Sequence, residues 1–278
     1  AMHCIYADSP QRFLHFNDFE HPVVLQLGGS DPALMASAAA RGAAEGFDQI
    51  NVNIGCPSDR VQQGRFGACL MAEPDLVAEM VQACRAAVTI PVTVKTRLGI
   101  DDFDDYAFVQ RFVEIVAASG CQHFIIHARK AYLQGLDPKQ NRTVPPLHYD
   151  RVERLQAEFP HCRFELNGGV MSTEQTLALL ETFPGVMLGR LAYHQPYVLA
   201  ELAAALLGTP LPSRAMFLER YVDYVAREVT EGTRLSALFK PVLGLYHGQP
   251  GGKLFRRTLS ETLARGEATP QTLLEAIP

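Results

Sequence analysis

No tryptophan occurs among the 278 residues, and the six cysteines form no CxxC pair and no regular spacing. The cysteine pattern excludes the readable forms of a zinc site and of a disulfide framework, and makes a reducing, cytoplasmic setting the expectation. No apolar stretch is long enough to span a bilayer, and the first residues lack the basic-then-apolar layout of a secretory leader. There is no Gly-rich dinucleotide fingerprint either, since IGCPSDRVQQGRFG does not reduce to G-x-G-x-x-G. Histidines and carboxylates without ligand spacing leave a metal site unsupported. Nor is there a surplus of positive charge. The net charge of −5 argues by itself against a nucleic-acid binder, but the charge is uneven. From Leu206 onward Lys and Arg outnumber Asp and Glu by two, which leaves −7 on the rest. A modestly basic C-terminal piece on an acidic body is a weak pointer to an anionic partner.

The apolar fraction of 47% and charged fraction of 20% are ordinary for a soluble globular chain. The length suits one large domain, or a large one with a small one. Six short β-rich runs punctuate the first two-thirds: VVLQLGG (23–29), INVNIGC (50–56), PVTVKTRLG (91–99), HFIIHAR (123–129), RFELNGG (163–169) and GVMLGR (185–190). Helical stretches separate them: DPALMASAAARGAAEG, EPDLVAEMVQACRAAV, DYAFVQRFVEIVAASG, YDRVERLQAEF and STEQTLALLETF. Strands alternating with helices of this length predict a parallel sheet with helical crossovers. The strands are dense in Val, Ile, Leu and Phe, which predicts apolar cover on both faces.

Polar residues gather at the strands' C-terminal ends: Gln26, Asn53, Cys56, Lys95, Arg97, His127, Arg129, Asn167 and Arg190. In a TIM (β/α)8-type barrel that is the active-site rim. Such a barrel has eight strands, and six are readable. The opening AMHCIYADSPQRFLHF reads as the tail of an earlier helix or loop, so an N-terminally shortened barrel over residues 1–208 is expected. After Gly208 comes the Pro-rich link TPLPSR, with Ser213 a plausible N-cap. Helical stretches follow: AMFLERYVDYVAREVTEG, RLSALFKPVLGLYHG, KLFRRTLSETLARG and TPQTLLEAI. These predict a small helical domain over 209–278.

NGG (167–169) and GR (189–190) close the last two strands. Barrels commonly hold a phosphate on the loops after those strands, with glycines allowing close backbone approach. Gly168, Gly169 and Gly189 would do this, and Arg190 would add charge. The bland alternative is that these glycines only turn the chain. Lys95 and His127 end neighbouring strands, and a lysine there either pairs with a carboxylate or faces an anionic cofactor. In a flavin site a cation near N1/O2 stabilises the reduced ring, and Gln26 could bond the ring's polar edge. Beside such a ring, Cys56 could serve as general acid, giving a proton to one carbon while hydride reaches its neighbour. Cys69 is the rival thiol, expected at the start of the following helix and facing inward. Cys84 and Cys121 lie in apolar surroundings and read as packing. In the tail, Lys253, Arg256 and Arg257 share one side at helical spacing. They form either a solvated face or a phosphate contact that His247, Arg234 and Lys240 could extend.

VNIGCPSDRVQQGRFGACLM, PVTVKTRLGIDD, HARKAYLQGLDPKQNRTVPPL, ELNGG and GVMLGRLAYHQP, with QLGGSDP and PGGKLFRRTLSE, resemble the bacterial tRNA-dihydrouridine synthases. The A-type subfamily, which acts on positions 20 and 20a of the D-loop, resembles them most. The resemblance implies an FMN-bearing TIM barrel followed by a helical tRNA-binding domain, with NADPH as reductant and uridine in tRNA as substrate. It implies hydride to C6 and a proton from Cys56, the cysteine of the NxGCP motif, to C5. Asn53 matches that motif's Asn and would position the base. Gln26, Lys95 and His127 match flavin-ring contacts, and Asn167, Gly168, Gly169, Gly189 and Arg190 the phosphate end. Arg97, Arg129, Lys130, Arg142, Lys253, Arg256 and Arg257 would approach the RNA, with Tyr132 a candidate for stacking. A monomer is expected, without metal or membrane partner. The first two strands of the family, including its Pro-Met-Met-like segment, have no counterpart here. Two rival readings follow: a flavin barrel reducing free pyrimidines or dihydroorotate, and a non-catalytic tRNA-binding relative.

Overall fold

The computed structural model describes residues 14–58 and 64–278. Most of the opening stretch, and residues 59–63 of the Cys56 loop, lie outside the described residues, so the reading of the opening as a helix tail or loop does too. The chain divides into two compact units, Ala1–Gly169 with Leu179–Met187, and Val170–Ala178 with Leu188–Pro278.

The first unit is α/β. Strands β1 (Val24–Leu27), β2 (Gln49–Asn53), β3 (Val92–Arg97), β4 (His123–His127), β5 (Arg163–Asn167) and β6 (Val186–Met187) lie in sequence order, each parallel to the next. All six expected strands are present, in the consecutive parallel order of a TIM-barrel-type sheet. Helices α1 (Pro32–Ala44), α2 (Pro74–Ala87), α3 (Tyr106–Ala118) and α4 (Tyr149–Glu158) follow strands β1 to β4, and α5 (Thr173–Leu180), which follows β5 in sequence, belongs mostly to the second unit. Local chemistry starts two of them. The carboxylate of Asp31 accepts from Leu34 N before a Pro at the first helical position, and that of Asp105 accepts from Phe108 N.

The strand faces differ from expectation. Ile50, Val52, Val94, Phe124, Ile126, Phe164 and Leu166 point one way and join Met35, Met80, Val81, Phe112, Val113, Val116 and Leu155 of the helices in one core. The opposite face is largely polar: Gln26, Asn51 and Thr93 in one row, Asn53 and Lys95 in the next with the buried Ile125 beside them, then Arg97, His127 and Asn167. The period-2 geometry of a strand separates the two sets, so among the described residues the main apolar core lies on one face of the sheet.

In the second unit α6 (Arg190–His194) and α7 (Tyr197–Leu207) precede α8 (Arg214–Thr230), α9 (Leu235–Phe239), α10 (Gly252–Arg265) and α11 (Thr272–Glu275). Helices α6 and α7 were absent from the sequence reading. Pro196 stands just before α7, and Gly208, left-handed at φ 65°, ends it, which are ordinary helix start and stop signals. Ser213 caps α8 as expected, its hydroxyl accepting from Met216 N at 3.1 Å. The stretch 234–248, read as one helix, is broken after Phe239. Pro241 lies in a 3-10 turn (Lys240–Val242), and irregular backbone follows. Leu218, Val225, Phe239, Phe255, Leu259 and Leu273 form this unit's core.

Candidate active site

At the end of β2 the chain turns on a side chain. Asn53 Oδ1 accepts from the backbone N–H groups of both Gly55 and Cys56 at 3.1 Å, while its Nδ2 donates to Gln26 Oε1 at 3.2 Å. A short amide closing a turn on its own following backbone is a common way to leave a strand. Here it brings Gln26, Asn53 and Cys56 together. The Cys56 sulfur is half-buried, 3.5 Å from Ser58 Oγ, and the Cys56 carbonyl accepts from Ala68 N at 3.0 Å. Cys69 sits in a 3-10 turn (Gly67–Ala72), its thiol directed at Phe66 O and pushed up in pKa by burial, with Glu73 adding to the effect. Burial lifts Cys84 to about 11 and Cys121 to about 12, which suits packing and not reaction.

Lys95 stands beside Asn53 on β3, and Nζ donates to Asn167 Oδ1 at 3.1 Å. Burial lowers its pKa to about 8, with Arg97 adding to the effect and Cys56 opposing it. No carboxylate pairs with Lys95 among the described residues. Asn167 is fixed in turn by donating Nδ2 to Met187 O at 2.8 Å. His127, 8% exposed, ends β4 beside Asn167. Gly168, at φ +108°, lies so close that an added Cβ would sit 2.4 Å from His127 Cδ2. Tyr149, missed in the sequence, holds this corner by donating its hydroxyl to Gly168 O at 2.6 Å. An added Cβ on Gly169 would meet Leu147 at 2.4 Å.

Arg97 was expected to face RNA. It is 3% exposed, and its guanidinium binds three backbone carbonyls: Gly55 O from Nε at 2.8 Å, and Lys130 O and Asn141 O from Nη1 at 3.0 Å each. Burial brings even this group down to about 10. Its planar fork ties the Cys56 turn to the loop after β4. Fully buried Asn141 organises that loop, accepting from Tyr132 N and donating to Tyr132 O and Leu136 O. In the same loop Arg129 is half-buried and donates to Pro145 O. Lys130 pairs with Asp104 at 2.8 Å, donates to Asp101 O and lies over the Tyr132 ring, so its charged form is favoured. Arg142 is exposed and donates Nε to Pro138 O.

Gly189 and Arg190 belong to the second unit, where Gly189 precedes the short α6. In that unit Lys253 and Arg256 of α10 line a cavity of about 850 Å³ together with Tyr193, His194, Lys240 and His247, and no acidic residue lines it. Tyr193 is 49% exposed. Arg257 is not part of this lining and lies 3.9 Å from Glu261. Arg234, the other residue thought to extend the basic surface, is outside the lining as well. Among the described residues no helix is long and apolar enough to cross a membrane, and no group of His, Cys, Asp and Glu could hold a metal.

A parallel α/β sheet whose strand ends gather a thiol, a half-buried lysine, a histidine and oriented amides has the organisation of a barrel-type enzyme. The chain matches the dihydrouridine synthase (Dus) family over residues 4–278 and belongs to that enzyme family. It is 55% identical over 251 residues to the tRNA-dihydrouridine(20/20a) synthase of Xanthomonas campestris pv. campestris, covering 90% of this chain and 75% of that one. Proteins of the same name from Synechocystis sp. and Escherichia coli O6:H1 are 50% and 48% identical. Those matches cover 96% and 95% of this chain, and 80% and 81% of theirs.

Proposed function

We propose that this protein reduces uridine to 5,6-dihydrouridine in the D-loop of tRNA, at positions 20 and 20a, with NADPH as the reductant. The observation that carries the reading is the Cys56 turn. A half-buried thiol is held by Asn53 at a strand end, beside a lysine that has no carboxylate partner among the described residues.

The residues present suit a flavin. A desolvated ammonium with no carboxylate partner among the described residues calls for an anionic partner, and Gln26 and His127 lie near strand ends on the same face. A flavin mononucleotide, when bound and reduced by NADPH, would supply the hydride that arrives at C6 of the base. Lys95, Gln26 and His127 are assigned to the ring, and Asn167, Gly168 and Gly169 to its phosphate end. Gly189 and Arg190, in the second unit, are assigned a phosphate contact on the same family pattern. Cys56 Sγ would give its proton to C5, and Asn53 would hold the turn from which it does so. The hydrogen bonds of Arg97 support a role as a clamp behind the site, and Arg129, Lys130 and Arg142 are assigned to a loop that would approach RNA.

A base stacked in a loop must leave the stack before reduction, at about a few kcal/mol. Phosphate contacts offset that and make binding salt-dependent. Residues 1–208 are assigned the chemistry and 209–278 the tRNA, with Lys240, Lys253 and Arg256 as phosphate contacts and Arg257 assigned to the RNA on the family pattern. The test is an anaerobic NADPH titration of the purified protein, followed by visible absorbance with and without unmodified tRNA. The flavin band should bleach with NADPH and recover on adding tRNA. With Cys56→Ala the band should bleach and stay bleached. Recovery as fast as wild type in that variant would remove Cys56 as the donor, and no recovery in wild type would remove tRNA as the substrate.

A further inference from the structure

The polar face of the first three strands carries a hydrogen-bonded chain that can run in only one direction. Thr93, fully buried on β3, donates its hydroxyl to Ile50 O at 3.2 Å and accepts from Gln49 Nε2 and Asn51 Nδ2 at 2.9 Å each. That uses the one donor and both acceptor positions of a hydroxyl. Asn51, 2% exposed, accepts at Oδ1 from Gln26 Nε2 at 2.8 Å. Gln26 Oε1 accepts from Asn53 Nδ2, and Asn53 Oδ1 accepts from Gly55 N and Cys56 N.

Turning over Gln26 or Asn53 alone would set donor against donor on one side and acceptor against acceptor on the other, and turning over Asn51 alone would set its NH2 against that of Gln26. Turning over all three would aim the Asn53 NH2 at two backbone N–H groups, which cannot accept. The Gly55 and Cys56 N–H groups, which can only donate, therefore fix the sense of every amide, and the Thr93 hydroxyl anchors the far end of the chain. We propose that Thr93 and Asn51 are positioning residues for uridine reduction. Acting through Gln26 and Asn53, they fix the Gly55–Cys56 turn and with it the place from which the thiol acts. The inference rests on the assignment of Cys56 as proton donor. Neither residue is exposed enough to touch a base, so their influence passes through the chain of amides.

The side-chain series at Thr93 separates hydrogen bonding from packing. Thr93→Val keeps the shape and removes the hydroxyl, Thr93→Ser keeps the hydroxyl, and Thr93→Ala removes both hydroxyl and methyl. Two quantities are read for each. One is the rate of Cys56 alkylation by iodoacetamide in the substrate-free protein, resolved by peptide mass mapping against Cys69. The other is kcat and KM on unmodified tRNA. Val and Ala should each change the Cys56 rate at least threefold and lower kcat about tenfold, the effect of one lost buried hydrogen bond, with KM within about twofold. Ser should return both to within about twofold of wild type. If Val misfolds, the Ser and Ala pair, differing by one hydroxyl, decides alone. Unchanged alkylation and kcat without the hydroxyl would overturn the proposal, as would a Ser variant no better than Ala. Should Cys56→Ala keep full activity, the donor assignment fails instead, and the alkylation rates still report whether Thr93 positions the thiol.

Discussion

Lys95 is held in its charged form at a price in stability, and replacing it should strengthen the fold while removing function. Its pKa lies at about 8, against 10.5 for an ordinary lysine, because burial and the nearby Arg97 disfavour the ammonium. Folded protein therefore holds this proton less tightly than unfolded protein does. Between about pH 8 and 10.5 the unfolded state binds more protons, so stability rises with pH across that window. Below it the deficit is complete. At roughly 1.4 kcal/mol per pKa unit it amounts to about 2–3 kcal/mol after allowance for residual solvent contact. Lys95→Met keeps the length of the stem without the charge. In protein freed of bound cofactor, at pH 7, it should raise the urea midpoint by nearly 1 M, taking m as about 3 kcal/mol/M. Far-UV circular dichroism follows the transition. Wild type should gain about 2 kcal/mol between pH 7 and 9.5 relative to the variant, the other titrating groups cancelling in the difference. The variant should also lose retention of an anionic cofactor. Equal stability of the two proteins at pH 7, with parallel pH profiles, would refute the reasoning.

Three other perturbations test neighbouring parts of the structure. Arg97→Met strands three carbonyls and should cost about 2–4 kcal/mol by urea unfolding, with Arg97→Lys no adequate substitute for the fork. A loss under about 0.5 kcal/mol would show that the clamp is dispensable. Gly168→Ala places a Cβ against the His127 ring at a left-handed φ of +108°, and a loss of about 2–3 kcal/mol is expected in the same assay. A Tyr149→Phe variant, which gives up only the hydroxyl bond to Gly168 O, should lose less. Paired Lys253→Glu and Arg256→Glu should weaken tRNA binding and reduce the slope of log affinity against log salt by about 2. An unchanged slope would place the phosphate contacts elsewhere.

The strand ends were legible because their signals are local. A run of branched residues halted by Gly-Cys-Pro, or an apolar strand ending in Lys-Thr-Arg, announces a rim wherever the strand lies. The alternation of Gln49, Asn51 and Asn53 with Ile50 and Val52 was equally available, and it could have revealed a polar inner face. Density of branched residues masked it. Arg97 was misread for a different reason: an arginine at a strand end looks the same whether it meets solvent or the backbone of a loop more than 30 residues away. Asn141, inside KQNRT, carries no local sign of being fully buried.

Composition, periodicity and punctuation thus determined the parallel α/β plan, the position of the helical tail and the thiol at the end of β2, because each is written in residues adjacent along the chain. Tertiary structure alone decided what those polar groups do. It placed Arg97 on three carbonyls, turned Asn53 back on the Cys56 backbone, and left Lys95 half-buried with no carboxylate partner among the described residues. Hydrogen bonds and desolvation depend on which strands become neighbours. That pairing joins residues 25 to 72 positions apart, a separation no local pattern records.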